Sequence, residues 1–384
     1  MSNSTVAVQR PRISPLWLFV SLALASLVLY GGVVTLMHGE AGHGTSADVP
    51  WGILISAYVF FAVSCTGLCL VTSLGHVFGL KKYEVLVKRT HVLSNICLLV
   101  GFIMIGLELG HPFRMFWTVL SPNFTSPIWW MGTLYSIYLV ILLVEFYYLL
   151  KNDHKGAAIT GLGAVVAGVA ATSTLGAVFG NMDARPFWSG PYLPIYLILT
   201  AMVSGTALVI IIMHVGYRGS ANFTEKVKIA LIGVSKFFGV FLAASIFFTW
   251  WRIALAYFSN IPEKTASVNL LLSGPFAFNF WVFEMLLGMF IPFFIIVFTK
   301  GENFRASLWA AIAALVGLFL MRYNMVITGQ LIPNADNLPG FSIYTREVAT
   351  YSPTFVEMSI VLGGVGLVAF LYLLAEKVFQ LDDE

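Results

Sequence analysis

Residues 51–74 read WGILISAYVFFAVSCTGLCLVTSL, a stretch with no charged side chain. At about 1.5 Å of rise per residue, a helix of that length crosses a hydrocarbon core about 30 Å thick. Lipid offers a peptide group no hydrogen-bond partner, so such a segment must satisfy its own backbone, and a helix does. The apolar-every-second-residue pattern of a membrane barrel strand is absent from it.

The same pattern recurs in both directions along the chain. Candidate spans are 15–36, 51–74, 91–110, 127–149, 159–179, 191–213, 229–250, 276–299, 306–328 and 354–375. Of 384 residues, 59% are hydrophobic and only 10% charged, with a mean hydropathy of +0.87. A soluble domain carries about 25% charged residues. The expected fold is an all-α, polytopic transmembrane helical bundle of about ten spans. The apolar run from Leu16 to about Met37 exceeds the 7–15 residues of a signal-peptide core, so it reads as a retained span. Gly161, Gly163, Gly168, Ala171 and Gly176 in the fifth span suit close helix packing more than lipid contact.

Basic residues set the orientation. With the N-terminus inside, the inner segments hold fourteen Lys and Arg, from Arg10 and Arg12 through Lys81, Lys82, Lys151 and Arg218 to Lys377. The outer segments hold five: Arg114, Arg185, Arg252, Lys264 and Arg346. A multi-pass protein of the cell's inner (cytoplasmic) membrane with both termini cytoplasmic is expected. The outer connections, 37–50, 111–126, 180–190, 251–275 and 329–353, are mostly longer and rich in Pro, Gly, Asn and aromatic residues. Such loops suit a docking platform. The net charge of +3 is accounted for by the inner loops and does not point to nucleic acid.

Six ionisable residues fall inside the spans: Glu108, Glu145, Lys236, Glu284, Arg322 and Glu357. Charge in lipid is costly, so each is expected to face the bundle interior, as an ion pair or along a water path. Glu108, Glu284, Arg322 and Glu357 belong to an outer layer, and Glu145, Lys236, His91 and Asn95 lie nearer the cytoplasm. A buried Arg322 calls for a counter-charge, with Glu284 and Glu357 as candidates. Glu108 and His111, three apart, are expected to share a helical face and to exchange protons near a surface. Tyr135 and Tyr138 share a stripe of span four with Glu145, which suits a quinone pocket, a proton path or an interfacial aromatic belt. Cys65, Cys69 and Cys97 are too few for a four-thiolate cluster and read as packed thiols. The histidines indicate no facing pair for a transmembrane haem, so neither haem nor metal is expected in this chain.

Gly-His-Pro-Phe-Arg at 110–114, the helix opening Ser126-Pro-Ile-Trp-Trp-Met-Gly and ending at Glu145, and Asn279 through Glu284 to Pro292 carry a resemblance. So do Met321 to Gln330 and Tyr351-Ser-Pro-Thr-Phe-Val-Glu357. Together they resemble the NrfD family, the membrane subunits of polysulfide reductase type, and within it the ten-span branch. That branch includes the membrane subunit of the sulfite-reductase-associated DsrMKJOP complex. The resemblance implies two four-helix bundles, 51–179 with the quinone site and 191–328, flanked by single spans within 1–36 and 354–384. It also implies a quinone-reactive subunit of a respiratory oxidoreductase complex. Menaquinone or ubiquinone would exchange electrons with an extracytoplasmic ferredoxin-like iron–sulfur subunit, alongside further subunits such as cytochromes and surrounding lipid. Quinone interconversion moves two electrons and two protons. Glu108 and His111 are the expected catalytic pair, with Arg114, Tyr135 and Tyr138 in the quinone site. His91, Asn95, Glu145, Lys236, Glu284, Arg322 and Glu357 are the candidate proton path. The family's early pocket histidine has no match in span two. A secondary transporter or ion channel, and a purely structural anchor, are the rival readings.

Overall fold

A computed structural model describes residues 14–332, 349–379 and 381. Arg10, Arg12 and Arg346 of the basic tally lie outside the described residues. Among the described residues there is no strand, and ten helices are long and apolar enough to cross a membrane. They are α1 (Pro15–His38), α2 (Ile53–His76), α3 (Val87–Glu108), α4 (Pro127–Leu150) and α5 (His154–Gly180). The remainder are α6 (Tyr192–Gly216), α7 (Glu225–Phe258), α8 (Asn279–Thr299), α9 (Phe304–Leu331) and α10 (Phe355–Val378). Successive helices reverse direction. One end of the bundle, the Glu108 end, therefore gathers the ends of α1, α3, α5, α7 and α9. The other, the His76 end, carries the short turns.

Polar caps mark where helices start. The Ser126 hydroxyl accepts from Trp129 N ahead of Pro127, and Asp153 accepts from Gly156 N, so only a short turn separates α4 from α5. Thr354 and Glu357 form a reciprocal capping box on α10. Such caps satisfy amides that the helix itself cannot.

Two spans differ from expectation. α7 runs on to Phe258, so Arg252, expected in an outer loop, sits in the last turns of the helix, and a short helix Pro262–Leu272 follows. α8 opens as a π-helix over Asn279–Phe290 and tightens to α-helix from Ile291. Pro292 has no N–H and its ring crowds the carbonyl four residues back, which interrupts regular bonding here.

Glycine determines how close the helices come. A Cβ on Gly67 of α2 would run into the Ala201 carbonyl of α6, and Gly205 of α6 packs reciprocally on Gly67. Gly288 and Gly317 join α8 to α9 in the same way, and Gly363 and Gly366 bring α10 onto α1 at Val28 and Leu24. α2 is thus central, packing on α3, α5, α6 and α9, whereas α1 is held chiefly by α10. The expected role of small residues in α5 is met, since Gly161 makes room for His76 and Gly168 for Tyr138.

The α2–α6 contact gives a stability prediction. Gly67→Val should drive the two backbones apart at a cost of about 1–3 kcal/mol or more. The measurement is the thermal melting point of detergent-purified protein, expected to fall by several degrees. An unchanged melting point would show that the helices are less closely held than described.

Candidate functional site

At the Glu108 end the N-terminus of α2 presents three consecutive amides, each accepted by a side chain from elsewhere. Trp51 N donates to Gln330 Oε1 at 2.9 Å, Gly52 N to Glu108 Oε1 at 2.6 Å, and Ile53 N to the Tyr351 hydroxyl at 2.8 Å. The Tyr351 hydroxyl in turn donates to Glu357 Oε1 at 2.6 Å, and Gly44 N donates to Glu357 Oε2 at 2.9 Å. Burial raises the Tyr351 phenol well above its ordinary range, which keeps it a donor.

Glu108 is buried, and one of its oxygens is free. Its Oε2 has no hydrogen-bond partner and lies 4.0 Å from His43 Nδ1, which also has none. The other ring nitrogen of His43 is engaged by Thr35 Oγ1 of α1 at 3.1 Å. Two unpartnered atoms at that separation can share one oxygen atom at ordinary hydrogen-bond distance. The structure therefore offers a carboxylate and an imidazole to a single polar group beside an apolar helix pair.

The expected pairing of Glu108 with His111 is not formed. α3 ends at Glu108, Gly110 takes φ +63°, and the chain turns away, leaving His111 and Arg114 exposed. Three-residue spacing puts two side chains on one face only while the helix continues. His43 stands beside Glu108 instead. The signal that could have found it is that the loop after α1 and the end of α3 must emerge at the same face.

Tyr135 and Tyr138 lie deep between α2, α4 and α5. Tyr135 OH is 3.2 Å from Thr172 Oγ1, which is 2.7 Å from Thr66 Oγ1. Tyr138 OH donates to the Cys65 carbonyl at 3.5 Å. The three cysteines are buried and unbridged. Below them, toward the His76 end, Glu145 Oε1 is 2.8 Å from His76 Nε2 and 3.4 Å from His91 Nδ1. Asn95 donates from Nδ2 to the His91 carbonyl at 3.1 Å. The structure thus brings His91, Asn95 and Glu145 together without Lys236, and His76, the last residue of α2, joins them.

Buried charge in α6–α9 is arranged otherwise. Arg322, 2% exposed, donates to Thr200 Oγ1 at 2.5 Å and contacts Met321 Sδ at 3.5 Å. Neither expected carboxylate is its hydrogen-bond partner. Glu284 accepts from Asn324 Nδ2 at 2.8 Å, and Glu357 is committed to the α10 cap and the loop. Lys236, expected to face inward, is exposed, because α7 buries Val227, Ala230, Leu231, Val234 and Phe238 and turns position 236 away. Its long stem lets the ammonium reach along the helix toward the headgroups. Among the described residues no group of three or more His, Cys, Asp or Glu could hold a metal ion.

Burial lowers the His43 imidazole pKa, with Glu357 and Glu40 opposing the shift. The folded protein therefore holds His43 neutral where the unfolded chain, at about 6.5, would begin to protonate it. Stability from this source is present above about pH 6.5 and is lost as pH falls through the lower folded value. His43→Gln should flatten the fall in melting point between pH 7 and 5 relative to the parent. Parallel curves would show that His43 is not held neutral.

A sequence profile described as polysulphide reductase, NrfD, matches residues 42–334. Three similar proteins cover nearly the whole chain. The Hdr-like menaquinol oxidoreductase integral membrane subunit of Archaeoglobus fulgidus is 26% identical over 94% of this chain and 93% of its own. A selenate reductase subunit of Mesobacillus selenatarsenatis is 22% identical over 88% of each. A putative dimethyl sulfoxide reductase membrane subunit of Halobacterium salinarum is 23% identical over 97% and 94%. With about three quarters of its length matched, the chain belongs to the polysulphide reductase NrfD family.

Proposed function

We propose that this NrfD-family protein is the quinone-reactive membrane subunit of a respiratory oxidoreductase complex, with the His43–Glu108 pair at its quinone site. The observation that carries the reading is the unpartnered Glu108 Oε2 facing the unpartnered His43 Nδ1 at 4.0 Å in a buried position. When bound, a quinone supplies two-electron, two-proton chemistry at oxygens that need hydrogen-bond donors. The neutral imidazole can donate from Nδ1 when its proton sits there, and Glu108 can receive or give a proton beside it. Gly52 N holds the other carboxylate oxygen in place. α1 and α3 supply apolar flanks for an isoprenoid tail.

The relatives named for reductase and menaquinol oxidoreductase subunits support a menaquinone or ubiquinone partner within a multisubunit complex. The electron partner in this reading is a ferredoxin-like iron–sulfur subunit docked at the Glu108 end, which is the extracytoplasmic face. Both termini are then cytoplasmic in the inner membrane. The exposed Phe113, Phe116, Trp117 and Phe124 offer that partner, and the lipid headgroups, a broad aromatic margin. The site is assigned to the helix group 51–179 with the loop before it, and the hydroxyls of Tyr135, Thr172, Thr66 and Tyr138 mark a proton route from it toward Glu145. Glu284 and Arg322 in the group 191–328 are kept as secondary stations.

Replacing Glu108 with Gln or His43 with Gln in the assembled complex should cut quinol-linked turnover by about 100-fold or more, the scale of a lost general acid–base. Assembly, read by co-purification, should persist. Assembled variants turning over at the parent rate would refute the assignment. Loss at His111→Ala with His43→Gln unaffected would return the role to the exposed imidazole.

A further inference from the structure

Glu145 is 1% exposed and stands between two imidazoles from different helices. The protons there can be counted from the partners. His76 Nδ1 is 3.1 Å from the Thr72 carbonyl, and His91 Nε2 is 2.9 Å from the Leu142 carbonyl. A carbonyl only accepts, so each of those nitrogens carries a hydrogen. The remaining nitrogens, His76 Nε2 and His91 Nδ1, both lie against the same oxygen, Glu145 Oε1. In neutral imidazoles they would be lone pairs, and an ionised carboxylate facing two lone pairs is repelled by both. The group of three therefore holds at least one shared proton.

With one proton, on His76 Nε2 or on the carboxyl, the group is neutral overall. A second proton has a defined place, His91 Nδ1, which has no hydrogen-bond partner at 3.4 Å from the oxygen. Glu145 Oε2 and Asn95 Oδ1 are also buried and unpartnered, so acceptors remain for the proton to move to. The His76 side chain retains 6% exposure at the end of α2, and the residues after it reach the surface. Water is thus closest on the His76 side.

The surrounding charges are occupied. Arg89 of α3 is paired with Glu376 of α10 at 2.7 Å, and His154, the first residue of α5, lies 3.9 Å from Glu84 at the surface. α5 presents Gly161 to His76. Phe146 stacks on His91 and Phe379 packs on Phe146, closing the α10 side with apolar rings. Cys69 of α2 and Tyr138 of α4 lie inward. The nearest ion pair, Arg89–Glu376, is internally neutral.

We propose that Glu145, His76 and His91 form a proton-loading site that rests with one shared proton and takes up a second on His91. The exchange is a bare proton transfer: one N–H bond forms on His91 Nδ1 as one O–H bond of a hydronium ion breaks and leaves water, and no electron moves. Its use in turnover rests on the quinone-linked reading above, whereas its protonation does not.

The test is nitrogen-15 NMR of the whole chain, labelled at histidine, in lipid bilayers between pH 8 and 5.5, without quinone or partner. His76→Gln and His91→Gln assign the two rings. The parent should show one proton shared between His76 and Glu145 at neutral pH, then a change of the His91 signal to imidazolium at lower pH. Glu145→Gln, which preserves a hydrogen-bonding group, should abolish the shared proton and leave both rings neutral at neutral pH. Two rings that are neutral and unchanged across the range in the parent would overturn the proposal. A shared proton with His91 silent throughout would overturn it too, reducing the group to a fixed ion pair. The variants serve to assign the signals and the pH response of the parent decides, so loss of function in a variant does not rescue the idea.

Discussion

The three amides at the start of α2 are the constraint on which the Glu108 end is built. An N–H removed from water and left unbonded costs about 1–3 kcal/mol, and three in a row form the positive end of a helix. Here the acceptors are Gln330 at the end of α9, Glu108 at the end of α3, and Tyr351 ahead of α10. Capping α2 therefore fixes where three other stretches finish. It also divides the work of Glu108 between its two oxygens. Oε1 is tied to an amide that cannot move without unwinding α2, and that leaves Oε2 directed at His43 without a structural duty.

The two buried acids of α2–α5 are stabilised by different means, and the difference is chemical. Glu108 is held by a peptide N–H, a donor that never gives up its proton, so any change of protonation there belongs to the carboxylate, to His43 or to a bound group. Glu145 is held by imidazoles, whose ring nitrogens can each carry or give up a proton. Proton movement in the first case is imposed by what binds. In the second the proposed uptake would need no bound group. The hydroxyls of Tyr135, Thr172 and Thr66 form a buried group of their own among α2, α4 and α5, each able to donate and accept.

Most of the fold could be read from the sequence because lipid imposes one length and one composition on every span. The ten helices were legible for that reason, and their ends moved where other chemistry intervenes. α7 outlasts its apolar window because Arg252 is sheltered by the rings of Phe187 and Tyr192, at 3.8 and 5.4 Å from their centroids. The π-helical opening of α8 follows from Pro292 and close backbone contact at Gly288, neither of which alters hydropathy. In the site, Glu108, Glu145 and His91 were legible because a polar group in an apolar run is conspicuous. His43, Tyr351 and Gln330 were not, since a polar residue in or beside a loop is unremarkable until the loop folds back over a helix end. The pairing of Glu108 with His111 failed on one residue: Gly110, with its left-handed φ and Glu40 packed against it, ends the helical register on which the pairing depended.

The remaining buried charges sit unevenly across the molecule. Glu284, Arg322 and Arg252 all lie in the Glu108-end halves of α8, α9 and α7, and their partners are neutral: an amide, a hydroxyl and aromatic faces. Without touching, Arg252, Arg322 and Glu284 still act on one another through space, so removing one charge leaves the others poorly compensated. Within α2–α5, by contrast, acid is found at both ends and hydroxyls between. Ionisable groups thus stand at both ends of α2–α5, whereas Arg252, Arg322 and Glu284 of α7–α9 gather toward the face on which α2 is capped.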